Sequence, residues 1–176
     1  NLLRGLKKES SNISAIVTVA DDGGSSGKLR DELGILPPGD IRNCLVALAD
    51  RESLMEQLFR YRFASEGHLG GHSFGNLFIA SMTEVLDDFE DAVKESSKVL
   101  AIRGQVLPAT SENIRLGAYY TDDSRQMGES VIPRKNKAIK RVFLEPSSCK
   151  PTEDALESIK ESEIITSGPC SLYTSI

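Results

Sequence analysis

Three short segments of the chain hold residue types that do chemistry with anions. The first is Asp21-Asp22-Gly23-Gly24-Ser25-Ser26-Gly27. Its glycines permit positive φ and close approach of the main chain to a ligand, and successive N–H groups in such a turn cup an anion. Two adjacent carboxylates, Asp21 and Asp22, repel a bare phosphate. They make sense where they hold Mg²⁺ or accept hydrogen bonds from a ribose, a sugar or a base; the plainer reading is a polar strand-to-helix turn. The spacing is not that of a P-loop, because Gly23 to Lys28 is one residue short and Leu29 stands where a hydroxyl would reach Mg²⁺. The second segment is Pro38-Gly39-Asp40-Ile41-Arg42-Asn43. Asp40 reads either as the N-cap of the next helix or as a site residue. Arg42 and Asn43 fall in that helix's first turn, where an arginine opposes the helix dipole by about 0.3–1 kcal/mol and so points to a fixed anionic partner.

The third segment is His68-Leu69-Gly70-Gly71-His72-Ser73-Phe74-Gly75-Asn76. His72 and Ser73 open a helix whose free N–H groups favour a phosphate or carboxylate, and Ser73 alone reads first as an N-cap. Two histidines four apart hold zinc on a continuous helix, but Gly70-Gly71 interrupts this one and no third ligand is near in sequence. His72 beside Ser73 is not by itself a nucleophile–base pair, and no G-x-S-x-G elbow is present. A weaker fourth segment, Gly168-Pro169-Cys170-Ser171, would cup a second phosphate after a final strand.

The elements that must position these loops follow from hydrophobic period. Ile13 to Val19 is a buried-strand run. Ile41, Cys44, Leu45 and Leu48 mark one helix face, and Leu54, Met55, Leu58 and Phe59 a short helix. Phe74, Leu77, Phe78, Met82 and Val85 carry the strongest helical period; Asp87 or Asp88 caps the helix after it. Val106–Thr110 is a short strand. Alternation from Ile114 to Tyr120 predicts a half-buried strand, with Asp122-Asp123-Ser124 as a turn, Gln126–Ser130 as a hairpin partner and Ala138–Leu144 as another strand. Pro151-Thr152 opens a helix, and Glu163–Ser167 is a weak final strand. The order predicts a single α/β domain over residues 1–176, a mainly parallel sheet with flanking helices and a small β-hairpin insert. In such a sheet ligands sit at the carboxyl ends of strands, where these loops lie. Both ends of the chain read as cut.

Composition sets bounds. The 176 residues carry a net charge of −5, with 27% charged and 39% hydrophobic residues. That excludes a disordered chain or a coiled coil, and a mildly acidic chain is a poor partner for nucleic acid or an anionic membrane surface. No apolar run is long enough to span a bilayer. Three cysteines, an odd number widely spaced, predict neither a disulfide framework nor a thiol zinc site and fit a reducing cytoplasm.

Taken together, the runs Ala20–Gly27, Leu33–Leu45, Gly71–Leu77, Arg103–Thr110 and Ser171–Ser175 resemble the YvcK-type gluconeogenesis factors. These are the bacterial branch of the family that contains the CofD-like 2-phospho-L-lactate transferases. The resemblance implies a Rossmann-like fold, a cytoplasmic protein and a UDP-sugar ligand, UDP-N-acetylglucosamine. It implies a regulatory role linking carbon metabolism to cell-wall synthesis and cell shape during gluconeogenic growth, with partners in that regulation and room for a homo-oligomer. By analogy Asp21, Asp22, Gly23, Gly24, Ser25, Asp40, Arg42, Asn43, His72, Ser73 and Asn76 surround the ligand, with Gly168 and Ser171 near its phosphates. The transferase branch implies an alternative: an Mg²⁺-dependent enzyme, with Asp21 and Asp22 at the metal, that places phospholactate on a deazaflavin alcohol. Two departures stand out. The family's first strand and Gly-rich loop have no counterpart here, and Cys170 stands where glycine is usual.

Overall fold

The computed structural model describes residues 2–50, 54–64 and 66–168. Helix α1 (Leu2–Glu9) leads into β1 (Ser14–Val17), then α2 (Gly24–Leu33), α3 (Gly39–Leu48), α4 (Leu54–Arg60), α5 (Phe74–Leu86) and α6 (Phe89–Val99). Strand β2 (Gln105–Pro108) follows. After it come β3 (Arg115–Tyr120), β4 (Arg125–Met127), a 3₁₀ turn (Ile132–Lys135), β5 (Ile139–Glu145) and α7 (Glu153–Glu161).

The α/β architecture is as the order of elements predicts. Strands β1 and β2 pair in parallel from Ser14 opposite Gln105 to Val17 opposite Pro108. The five helices between them form the crossover that parallel pairing requires. The core sits between this sheet and those helices. Val19, Ile41, Leu45, Leu48, Phe59, Ile79 and Val93 are all fully buried there. Each such side chain contributes roughly 1.5–3 kcal/mol of burial. The helix periods read from sequence face this core. Phe59 of α4 meets Phe74 and Phe78 of α5 with ring centroids 6.1 and 5.0 Å apart, which fixes where α5 begins. Ser73 and Asp88 cap α5 and α6 by accepting from Asn76 N and Asp91 N.

The insert is larger than a hairpin. It is a three-stranded antiparallel sheet in the order β4-β3-β5. Its hairpin partner is Arg125–Met127, shifted toward the turn from the expected Gln126–Ser130, because Gly128 (φ 100°) ends the strand and turns the chain.

Three expectations need correction. Helix α2 begins at Gly24, inside the Asp21–Gly27 segment expected to be a loop. Two glycines and two serines in its first four residues are poor helix formers, so tertiary packing wins; Gly34 (φ 71°) closes it with its N–H on Arg30 O. Asp40 is not an N-cap. Pro38 takes that position in helical conformation without a side-chain cap bond, and Asp40 falls inside the first turn. Glu163–Ser167 forms no strand: Ile164 and Ile165 are 81% and 71% exposed. Among the described residues the segment pairs with no strand edge.

Candidate functional site

The chain leaves β1 through Thr18, Val19 and Ala20 and reaches the Asp21-Asp22 loop at the strand's carboxyl end. Three helix starts meet there. The start of α3 can approach that of α2 only because residue 39 is glycine: a Cβ on it would lie 2.3 Å from Ser26 Oγ and 2.8 Å from Asp21 Oδ2. The first turn of α5 is held as closely, since a Cβ on Gly75 would lie 2.8 Å from both Arg42 Cδ and Phe59 O. Between these starts lies a cleft of about 270 Å³, lined by Asp21, Gly23, Gly24, Ser25, Ser26, Gly39, Arg42, Asn43, Arg62 and Asn76.

The sequence-predicted residues divide around this cleft. Asp21, Gly23, Gly24, Ser25, Arg42, Asn43 and Asn76 line it. Asp21 Oδ1 accepts from Gly23 N at 2.9 Å, an Asx turn that sets up the entry into α2. Asp22 is held elsewhere: its Oδ1 accepts from Ser130 N of the insert at 2.8 Å. His72 and Ser73 stand behind the cleft wall, buried. His72 Nδ1 lies 3.0 Å from Ser25 Oγ, and Ser73 spends its oxygen on the Asn76 N–H. Gly168 lies in an exposed irregular segment and does not line the cleft; Ser171 lies outside the described residues. His68 is exposed while His72 is buried, so the two do not face one another across a metal site.

Four residues that matter were missed. Ser26 and Gly39 belong to segments the reading singled out, but only three-dimensional contact shows their use. Arg62 has no local sequence signal. It reaches the cleft because it bridges Ser73 in antiparallel fashion and its guanidinium donates to Gly71 O. Glu129 comes from the turn after β4, brought in by the bond between Ser130 N and Asp22.

Both signs of charge meet within the site. Burial first and then the Arg62 charge pull the Arg42 pKa down, opposed by Asp40 and Asp21. Arg42 Nη2 donates to Asn43 Oδ1 at 2.7 Å, while its buried Nε has no partner. Beside Arg42 is a group of carboxylates. Burial, then Asp21, push the Asp40 carboxyl up, partly offset by a hydrogen bond from Asn43 and the Arg42 charge. Glu129 is pushed up to about 7 by burial and by Asp21, Asp40 and Asp22. One further atom points to a ligand. Asn76 is only 2% exposed, and its Oδ1 has no hydrogen-bond partner. An orphaned buried acceptor costs about 1–3 kcal/mol, a cost that a donor in the cleft removes.

A family model described as "2-phospho-L-lactate transferase CofD" matches residues 1–176. The chain belongs to the CofD family. Within that family it is 54% identical over 175 residues to the gluconeogenesis factor of Bacillus subtilis (strain 168), an alignment covering 99% of this chain and 55% of that protein. It is likewise 54% identical over 175 residues to the gluconeogenesis factor of Halalkalibacterium halodurans, covering 99% and 54%. A crystal structure of a Bacillus halodurans protein, described as a member of the UPF0052 family, superposes with a TM-score of 0.95 at 55% identity. That match covers 99% of this chain and 56% of the other. The chain thus spans about half the length of the curated relatives it matches.

The transferase branch of this CofD family raises the matter of Mg²⁺. Among the described residues no group of three or more His, Cys, Asp or Glu is placed to hold a metal ion. Asp21 and Asp22, adjacent in sequence, each spend an oxygen on a different main-chain N–H. A metal held by Asp21 or Asp22 would therefore need oxygens of a bound ligand to complete its shell.

Proposed function

We propose that this chain carries the phosphate- and sugar-facing part of a nucleotide-sugar site, with UDP-N-acetylglucosamine as its ligand, in a gluconeogenesis-factor-type regulator. The observation that carries the reading is that cationic and acceptor groups line one cleft. Arg42, Arg62 and the unpaired first-turn amides of α2 suit a diphosphate. Asp21, Asn43 and the orphaned Asn76 Oδ1 suit hydroxyl and amide donors. A bare phosphate satisfies only the first set and is repelled by the carboxylates. A ligand that joins a diphosphate to hydroxyl-rich groups satisfies both.

In this reading the bound state reports on sugar-nucleotide supply in the cytoplasm and is passed to partners that govern cell-wall synthesis and cell shape during gluconeogenic growth. The relatives' printed name, gluconeogenesis factor, supports this direction. Calorimetry on the full-length chain tests it: UDP-N-acetylglucosamine and UDP are expected to bind, and inorganic phosphate more weakly. Silence with both nucleotides overturns the reading. Divalent-dependent turnover of a guanylyl-phospholactate donor with a deazaflavin alcohol would replace it with the transferase alternative.

A further inference from the structure

We propose that Ser25 and His72 form a nucleophile–base pair that cleaves the phosphoanhydride of a diphosphate bound in the cleft, an inference that rests on the nucleotide-sugar reading above. The reading from sequence considered His72 with its neighbour Ser73 and found no such pair. The fold supplies a different serine. Ser25 Oγ lies 3.0 Å from His72 Nδ1, and Asn76 Nδ2 donates to the same oxygen at 3.1 Å. In the Nε2-protonated tautomer of the ring, Nδ1 accepts the Ser25 hydrogen; that tautomer is the one proton transfer requires. Both partners are buried, yet Ser25 lines the cleft.

The base is held in place. His72 N donates to Leu69 O at 3.0 Å, and His72 O accepts from Phe63 N at 2.9 Å, so the residue is fixed by main chain on both sides. The Ser73 hydroxyl is committed to its cap. Ser25 is the second residue of α2, whose first-turn N–H groups lack intrahelical partners. Arg42 and Arg62 line the same cleft. Nucleophile, amides and cations therefore line one volume, with the base directly behind the nucleophile, an arrangement that stabilises charge developing on phosphorus.

The step balances with water as the co-reactant. Ser25 Oγ forms a bond to one phosphorus, and the bond from that phosphorus to the bridging oxygen breaks, its electron pair leaving on the other phosphate. The Ser25 proton passes to His72 Nδ1 and then to the departing phosphate. Water next attacks the phosphorus of the serine ester, His72 takes its proton, and Ser25 Oγ leaves and is reprotonated. The sum is one diphosphate and one water converted to two phosphate monoesters. For UDP-N-acetylglucosamine these are UMP and N-acetylglucosamine 1-phosphate. Such turnover limits how long the bound state lasts.

The test uses the full-length chain with UDP-N-acetylglucosamine. Binding is read by calorimetry, UMP release by chromatography with EDTA present, and an acid-stable ester on the Ser25 peptide by mass spectrometry after quenching. The expected result is UMP above the buffer blank and an ester on Ser25. Release should fall about 100-fold or more in Ser25→Ala and His72→Gln, with melting temperatures confirming that each variant folds. The ester needs no variant, so it decides the matter even if both fail to fold. Binding without UMP or ester, or release undiminished in a folded Ser25→Ala, overturns the proposal and leaves the nucleotide-sugar reading standing. Absence of binding overturns both.

Discussion

The cleft and the antiparallel insert are built on opposite rules. The strands of the insert and their β3–β4 turn carry paired charges at the surface. Arg125 reaches Glu145 across the sheet and lies 4.8 Å from the Phe143 ring centre, and Lys140 meets Asp123 at 2.7 Å. Its one deep polar atom, Tyr120 Oη, donates to Ile132 O at 3.0 Å. The cleft instead brings like charges together, buries Arg42 Nε and Asn76 Oδ1 without partners, and packs main chain so tightly that a methyl group does not fit. Unsatisfied groups persist only where something else requires them. Arg30 Nε and Nη1, outside the cleft lining, are orphaned too, so what sets the cleft apart is the combination of orphaned atoms, like charges and close main-chain packing.

That comparison can be broken in four ways. The largest effect is expected from Gly75→Val, which drives side-chain atoms into Arg42 and Phe59 O. Stability should fall by about 3 kcal/mol, read from urea unfolding, and nucleotide binding should be lost with it. Next, Arg42→Ala should weaken UDP binding in calorimetry by roughly 10- to 100-fold, the scale of a charge-assisted hydrogen bond. If it does not, the cleft does not hold a phosphate.

Glu129→Gln sharpens the electrostatic half. The folded-state pKa of Glu129 is raised to about 7 from an ordinary 4.5. Between those values the native state binds more protons than the unfolded chain, so this group makes stability fall as pH rises from 4.5 through 7. The groups that face it, Asp21, Asp40 and Asp22, all push the same way. Removing the charge should raise stability at pH 8 by about 1 kcal/mol after allowing for solvent screening, with little change at pH 4.5. Thermal melts at the two pH values check this. The smallest effect belongs to the insert: Arg125→Ala should cost under about 1 kcal/mol and leave nucleotide affinity unchanged.

Much of the scaffold was legible in the sequence because hydrophobic period and cap chemistry are local. Phe74, Leu77 and Phe78 announce α5, and Ser73, Asp88 and Thr152 cap their helices as their types suggest. Helix α2 was not legible, since Gly23 to Gly27 reads as a loop until Asp21, Asp22 and Gly39 are packed around it. Asp40 misled for a related reason: its type suits a cap, but with Gly39 packed close to Ser26 the helix starts two residues earlier, capped at Pro38. The final strand failed because a strand needs a neighbour, and local sequence does not supply one.

What the chain's own letters determined is which segments carry glycines, carboxylates, arginines and helix starts, because residue type and period act over a few positions; of these segments only the Asp21 loop follows a strand, the next two following α2 and α4. Only tertiary structure decided which of them meet. Asp21 and Asp22 are adjacent yet serve different partners, whereas Ser25 and His72 are 47 residues apart and share a proton's distance. Pairing of that kind depends on how whole helices pack, and packing is set by the core rather than by the residues it brings together.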